Sequence, residues 1–491
     1  MRKLAFALVG IGLLLITFFT LADALGFGGD SGIGATQLLG IQAGAVLVLF
    51  GIGLMTVEWG EGVAFRERFR LARITDYPTL FWVLATFLVV YISFFLLPVF
   101  FSKLQIQYLT KYIPDAYITH IGFDIEAVVS RIQNWLLTGQ SPYADGFIGY
   151  PPLTIAIFST LSIVGYPAYF KLMVGITVLA YLSAALIIPW ALVPKRNRTL
   201  LMLFFITGLF SYGLQFEQER GQFNLIAFAF TLFAIYIFHV HPKLRFFAYL
   251  LFSLSIQLKV YPVFFVAMFV DDWRDWRDIV KRFLGLGSVN FALLFILGHK
   301  LFLDFIRAIT EYQLVESSRV ENLSIKGFVY YIANDVFGKT NLFTSTGVAE
   351  SFFWLLLGSC FLAVIGHAIF HKRRGLNFYL LLVCTIAALI IPSISNDYKL
   401  SILIAPVMLV FCCLPEFSHP KQRSFSTLLV ILASLAYWTT LYPATVKPEF
   451  LGRNFPALII ILILTTILNF LAPYPYEGTI QRINDTPESE Q

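Results

Sequence analysis

Five short polar stretches of a largely apolar chain carry residue types that suit the movement of a proton and of an anionic leaving group. The first, GFDIEAVVSRIQNWLLTGQSPY, carries Asp124 and Arg131 and runs on to Tyr143 and Tyr150. The second, QFEQERGQFN at residues 215–224, holds Glu217, Arg220, Gln222 and Asn224. In the third, QLKVYP, Lys259 and Tyr261 break a long apolar run. A lysine within hydrocarbon costs at least ~2.5 kcal/mol on insertion scales, so a paired or functional role is the default reading. The fourth, RVENLSIKGF, contributes Arg319, Asn322, Ser324 and Lys326, and the fifth, SISNDYKL, contributes Asn396, Asp397, Tyr398 and Lys399. A positioned carboxylate can act as a general base, and Arg220, Lys259, Arg319 and Lys399 are cations able to hold a departing negative charge. Plainer readings compete at each place. Asp124 could cap a helix, residues 215–224 could be solvated loop, and Lys259 could snorkel from a helix end.

The elements that must position these groups follow from composition. Of the 491 residues, 58% are hydrophobic and 13% charged, against roughly 25% charged in a soluble domain. Apolar runs of about 17 to 25 residues, each long enough to cross hydrocarbon as a helix, recur along the chain. The expected class is an all-α integral membrane protein with about 12 to 14 transmembrane helices. A net charge of +6 could suggest a nucleic-acid partner. The basic residues instead sit in short clusters between apolar runs, as cytoplasmic loops do, so no nucleic-acid partner is expected. Cys360, Cys384, Cys412 and Cys413 all lie in apolar segments and read as small hydrophobes, giving neither a disulfide nor a zinc site.

Spans are expected at about 4–24, 36–56 and 80–101, the first a retained helix and not a signal peptide. Arg66 to Arg73 mark the loop between the second and third as cytoplasmic. Residues 102–150 are then a long outer loop, and 304–349, 393–399 and 442–454 are also outer. The DDWRDWRD run beginning at Asp271 is inner and reads as a solvated interfacial helix. Two segments do not fit single crossings. If 151–166 is a half-helix, and 246–270 a short pair turning at Lys259 to Pro262, then Lys195, Arg196, Arg198, Lys243 and Arg245 fall inside. Residues 215–224 and 259–261 then reach the outer surface, an arrangement tolerated where protein or a watery cavity surrounds the backbone. Within the first outer loop, Ile125, Val128, Val129, Ile132, Trp135 and Leu136 follow helical spacing. They predict an amphipathic helix on the membrane surface, with Asp124 and Arg131 on one polar stripe. Residues 1–472 are read as one membrane domain, with 1–79 holding two extra helices, and 473–491 as a disordered cytoplasmic tail.

The order Asp124, Tyr143, YPPL, RGQFN, KVYP, NLSIKG and SISNDYK resembles the polytopic GT-C glycosyltransferases, and specifically glycosyltransferase family 87. That family includes bacterial polyprenyl-phosphate-mannose-dependent mannosyltransferases. KVYP is also similar to the KxYP of the first mannosyltransferase of GPI-anchor synthesis. The resemblance spans about Asp124 to Lys399. It implies an inverting transfer with the first-loop aspartate as base, which falls on Asp124, with Asp115 the alternative. It implies donor contacts from Arg220, Gln222, Asn224, Lys259, Tyr261, Arg319, Asn322 and Lys399, and acceptor or supporting roles for the other polar residues. Family members often carry histidine before the tyrosine where this chain has Asp397.

The chemistry fits independently. A lipid-phosphate sugar already has a good leaving group, so one carboxylate and nearby cations suffice. The expected partners are a polyprenyl-phosphate sugar, a lipid or glycan acceptor and membrane lipids, with the site facing outward from a bacterial plasma membrane. No cofactor is expected. Asp124 and Glu126 form a DxE pair, but residues i and i+2 do not share a helix face, which disfavours a divalent ion. The competing class is a flippase, transporter or polymerase of lipid-linked glycans; transporters more often show internal repeats, and none is evident.

Overall fold

Helices run in the order α1 (Arg2–Leu21), α2 (Pro78–Tyr91, continued by a π turn at Ile92–Leu96 into Leu97–Phe100), α3 (Phe123–Thr138) and α4 (Pro152–Leu161). After them come α5 (Ala168–Leu182, continued by a π turn at Ser183–Ile187 into Ile188–Leu192), α6 (Arg198–Leu209), α7 (Tyr212–Arg220), α8 (Asn224–Val240) and α9 (Arg245–Leu258). A 3₁₀ segment, Tyr261–Phe269, leads to α10 (Trp276–Leu293), α11 (His299–Val315), α12 (Ile325–Tyr331), α13 (Thr346–Phe370) and α14 (Phe378–Ile390). A second 3₁₀ segment, Asp397–Leu403, precedes α15 (Ile404–Cys413) and α16 (Phe455–Leu471). The computed structural model describes residues 2–21, 47–48, 78–101, 121–166, 168–194, 197–315, 322–333, 346–372, 375–413 and 454–471. The expected second span, the arginine loop at 66–73 and the tail after 473 lie outside the described residues, as does part of the expected helix total.

Backbone contacts group residues Met1–Ile121 with Pro194–Phe210, and Gly122–Val193 with Ser211–Gln491. In the first unit, Phe87, Tyr91 and Phe95 of α2 pack their rings within 5.6–6.1 Å of Phe210. The second unit contains the described polar clusters. Its α14 is buried at every residue, as befits a helix that is apolar all round. Among the described residues, Ala168–Leu192 and Gly347–Phe370 are long and apolar enough to cross a membrane.

The polar segments are placed by elements too short to span. Helix α4 has ten residues, about 15 Å of rise, which is half a membrane. It starts at the rigid Pro151–Pro152 pair. Helix α9 has 14 residues, about 21 Å, and the nine-residue 3₁₀ segment covers about 18 Å because 3₁₀ rise is larger. The two form a hairpin. At its base the Arg245 guanidinium pairs with the Asp271 carboxylate, and His239 of α8 meets the Met268 carbonyl at 2.8 Å. At its tip Lys259 is extended, and the Tyr261 hydroxyl donates to the Asn224 carbonyl at 2.6 Å. The turn therefore falls where the sequence places it.

The DDWRDWRD run is exposed from Arg274 to Arg277 and buried nowhere, in keeping with the solvated reading, while its ends make specific contacts. Asp271 also receives Arg282 at 3.5 Å, and Asp275 caps α10 by accepting the Asp278 N–H at 3.1 Å. Asp271 of this run thereby closes the base of the hairpin as well.

Candidate active site

Two glycines let the start of α3 meet the end of α7. Gly122 and Gly221 have φ of +79° and +68°, a region that favours glycine. A Cβ on Gly221 would lie 2.5 Å from the Ile125 side chain, and one on Gly122 would lie 2.7 Å from the Phe170 ring. With neither present, the Gly122 N–H donates to the Glu219 carbonyl at 2.6 Å. Ile125, Val128, Val129 and Ile132 bury the apolar face of α3. Its N-cap is Gly122, without a side-chain cap, so Asp124 does not act as the helix cap.

Asp124 turns instead to the RGQFN turn. Its carboxylate accepts from Gln222 Nε2 at 2.6 Å and lies 3.5 Å from an Arg220 nitrogen. Gln222 Oε1 in turn accepts from Lys259 Nζ at 2.9 Å, and the Tyr150 hydroxyl lies 3.4 Å from the same oxygen. The Lys259 ammonium is buried over the Tyr150 and Phe223 rings, at 4.1 and 4.2 Å from their centroids. These are cation–π distances, which help retain a charge away from water. A carboxylate, an amide and an ammonium thus form one hydrogen-bonded line, with Arg220 stacked 5.1 Å from Phe216 at its side.

The other polar residues mostly brace this line. Glu217 is fully buried; it accepts the Leu225 N–H at 2.7 Å in the first turn of α8 and is hydrogen-bonded by Ser401. A carboxylate there is favoured by the helix dipole. Tyr261 fixes Asn224 through its backbone, and the Asn224 side-chain amide is buried with no hydrogen-bond partner among the described residues. Asn322 ties two loops by accepting the N–H groups of Ser324 and Ser395, both at 3.0 Å, and donating to the Ser393 carbonyl at 2.9 Å. Ser324 caps α12. Asn396 donates to Tyr398, whose ring packs on Phe216, while Asp397 lies 3.5 Å from Asn454. Lys399 donates to the Ile394 carbonyl at 3.1 Å. Tyr143 donates to the Tyr150 carbonyl at 2.8 Å, and burial together with Asp304 pushes its phenol far above the usual range, so it stays a donor.

Arg131 does not join Asp124, despite the shared stripe. Its guanidinium bonds Asp145 at 2.6 Å and stacks on Phe147. Glu126 and Asp124 diverge as helical spacing requires, Glu126 acting on Tyr166 and Tyr169. Asp115 and Arg319 lie outside the described residues. The sequence reading missed Phe223, Ser401 and Thr154, whose hydroxyl donates to the Gln257 and Leu258 carbonyls at 2.6 and 3.1 Å. Phe223 lies inside the RGQFN motif and Thr154 follows YPPL directly, so adjacency was the available signal.

Residues 147–393, half of the chain, match the family model for glycosyltransferase family 87. The chain belongs to glycosyltransferase family 87. No curated protein matches it. The matched segment of this family 87 protein includes Tyr150, Arg220, Gln222, Asn224, Lys259, Tyr261 and Asn322. Asp124 and the stretch from Asn396 to Lys399 fall outside it, so the case for Asp124 rests on its bond to Gln222.

Proposed function

We propose that this family 87 membrane glycosyltransferase transfers a hexose, mannose by resemblance, from a polyprenyl-phosphate donor to a lipid-linked or glycan acceptor on the non-cytoplasmic face. The observation that carries this reading is the Asp124–Gln222–Lys259 line, which joins one carboxylate through an amide to a buried lysine. The acceptor hydroxyl gives its proton to Asp124 as its oxygen bonds to the anomeric carbon. The bond from that carbon to the phosphate oxygen breaks, the phosphate leaves with the electron pair, and the configuration inverts. Lys259, Arg220 and Lys399 are the described cations available to the departing phosphate. The buried Asn224 amide offers a donor and an acceptor to the sugar or phosphate. The scheme requires no cofactor and no metal ion. The loop-charge pattern of the sequence supports an active site facing outward from a bacterial plasma membrane.

Asp124→Asn is the decisive variant. Asparagine can still accept from Gln222 but takes no proton at neutral pH. Expression and donor binding should persist while transfer falls about 10²- to 10⁴-fold, the usual cost of losing a general base. Incubation with a panel of polyprenyl-phosphate hexoses reads both binding and consumption. Activity within a few-fold of wild type would move the base to Asp115 or Asp397, and no consumption of any such donor by wild type would sink the donor reading.

A further inference from the structure

A second polar depression lies farther along α3, away from the Asp124 line. It has a volume of about 390 Å³ and is lined by Ser130, Arg131, Asn134, Ser141 and Asp145, together with Gln140. We infer that this cleft is an acceptor-glycan subsite, so that the acceptor is an extended saccharide and not a bare lipid or a single sugar. This rests on the proposed transfer and goes beyond it by naming the class of acceptor.

Helical geometry links the two places. Seven residues are nearly two full turns, so Arg131 returns to the face of Asp124 about 10 Å farther along, and Asn134 lies about 15 Å along. The residue one turn from Asp124 on this face is Ala127, too small to block a chain laid between them. An acceptor saccharide whose terminal hydroxyl gives its proton to Asp124 would lay its preceding sugar units over this track.

The lining chooses among ligand classes. The Arg131 charge is already matched by Asp145, at 2.6 Å, which leaves no net cation for a phosphate. Partial burial pushes the Asp145 carboxyl up, but the hydrogen bonds from Arg131 and the Phe147 N–H outweigh it and hold the group below its ordinary value, so the pair stays ionised near neutrality. Arg131 is further fixed by a 2.9 Å bond to the Ala127 carbonyl and by the Phe147 ring at 4.2 Å. Among the lining residues only Pro142 and Ala144 are apolar, too little to hold a lipid tail. What remains are hydroxyls and amides, with Asn134 Nδ2 bonded to Gln140 Oε1 at 3.1 Å and both residues exposed. Exchangeable groups of this kind match the hydroxyls of a saccharide.

The test uses the intact purified protein and octyl mannosides of one and of four units, with binding measured by calorimetry. Hydrolysis of a polyprenyl-phosphate mannose is followed in the same samples. The tetrasaccharide should bind about tenfold more tightly than the monosaccharide, the worth of one or two neutral hydrogen bonds. The double variant Asn134→Ala with Gln140→Ala should abolish that gain, as should Ser141→Trp, which fills the cleft and gives up only the 3.4 Å bond that Ser141 Oγ accepts from the Tyr143 N–H. Donor hydrolysis should be unchanged in both. Equal affinity for both lengths, or a length gain that survives both variants, overturns the subsite. Failure of wild type to consume the donor is a separate result that counts against the transfer itself.

Discussion

Gln222 connects the two charges of the site because its amide donates at one end and accepts at the other. Its N–H faces the Asp124 carboxylate and its oxygen faces the Lys259 ammonium. Gln222→Glu keeps shape and size but removes the donor and sets a second carboxylate against Asp124. A hydrogen bond to a charged group contributes about 1.5–3 kcal/mol, so transfer should fall roughly 10- to 100-fold. Initial rates at saturating donor, beside a circular dichroism spectrum like that of wild type, measure this. A rate within twofold of wild type would show that the amide does not organise the site. Glu217, by contrast, is consumed by the start of α8 and by Ser401, which makes it a brace and not a reacting group.

At the level of elements, the site depends on how closely α3 approaches α7 and on where α9 stops. Gly221 and Gly139 both end helices with positive φ, but only Gly221 has a neighbour within reach of an added Cβ. Gly139→Ala should therefore carry the conformational cost alone, about 1 kcal/mol. Gly221→Ala adds a 2.5 Å clash with Ile125 and should be destabilising by roughly 1–3 kcal/mol, with a larger loss of transfer because Asp124 moves. Thermal denaturation and rate together separate the two. If both glycine variants behave alike, the close approach is not what positions Asp124. Thr154 acts on the other element, since its hydroxyl satisfies two carbonyls that α9 leaves open at its C-terminus. Thr154→Val is nearly isosteric and should cost about 1–3 kcal/mol while weakening donor binding through Lys259, with Thr154→Ser restoring both. Donor binding unchanged in the valine variant would detach the α9 terminus from the site.

For the whole molecule, the hairpin separates two sides. Tyr261 and Asn224 lie at one end, while Arg245, His239 and Asp271 lie at the other, which the proposed topology puts on the cytoplasmic side. All four native cysteines are buried, so single introduced cysteines give a clean readout. An impermeant maleimide added to intact cells should label Ser141→Cys, and should label Arg277→Cys only after permeabilisation. The reverse pattern would invert the topology and remove the outward-facing site.

The membrane class, the amphipathic α3, the half-length α4 and the break at Lys259 were legible in the sequence. Each is written in local terms, as helical periodicity, an apolar run or a proline that stops one. The partners of the polar side chains were not. Asp124 lies 98 residues from Gln222, and Glu217 lies 184 residues from Ser401. Residue type alone allowed Glu217 and Arg131 to serve the reaction as readily as Asp124. Tertiary packing assigned Glu217 to a helix start and Arg131 to Asp145, and left the Asp124 carboxylate beside Lys259 because two glycines admit that approach. Side-chain pairing across such separations is set by the fold's close contacts, and no local pattern in the chain encodes it.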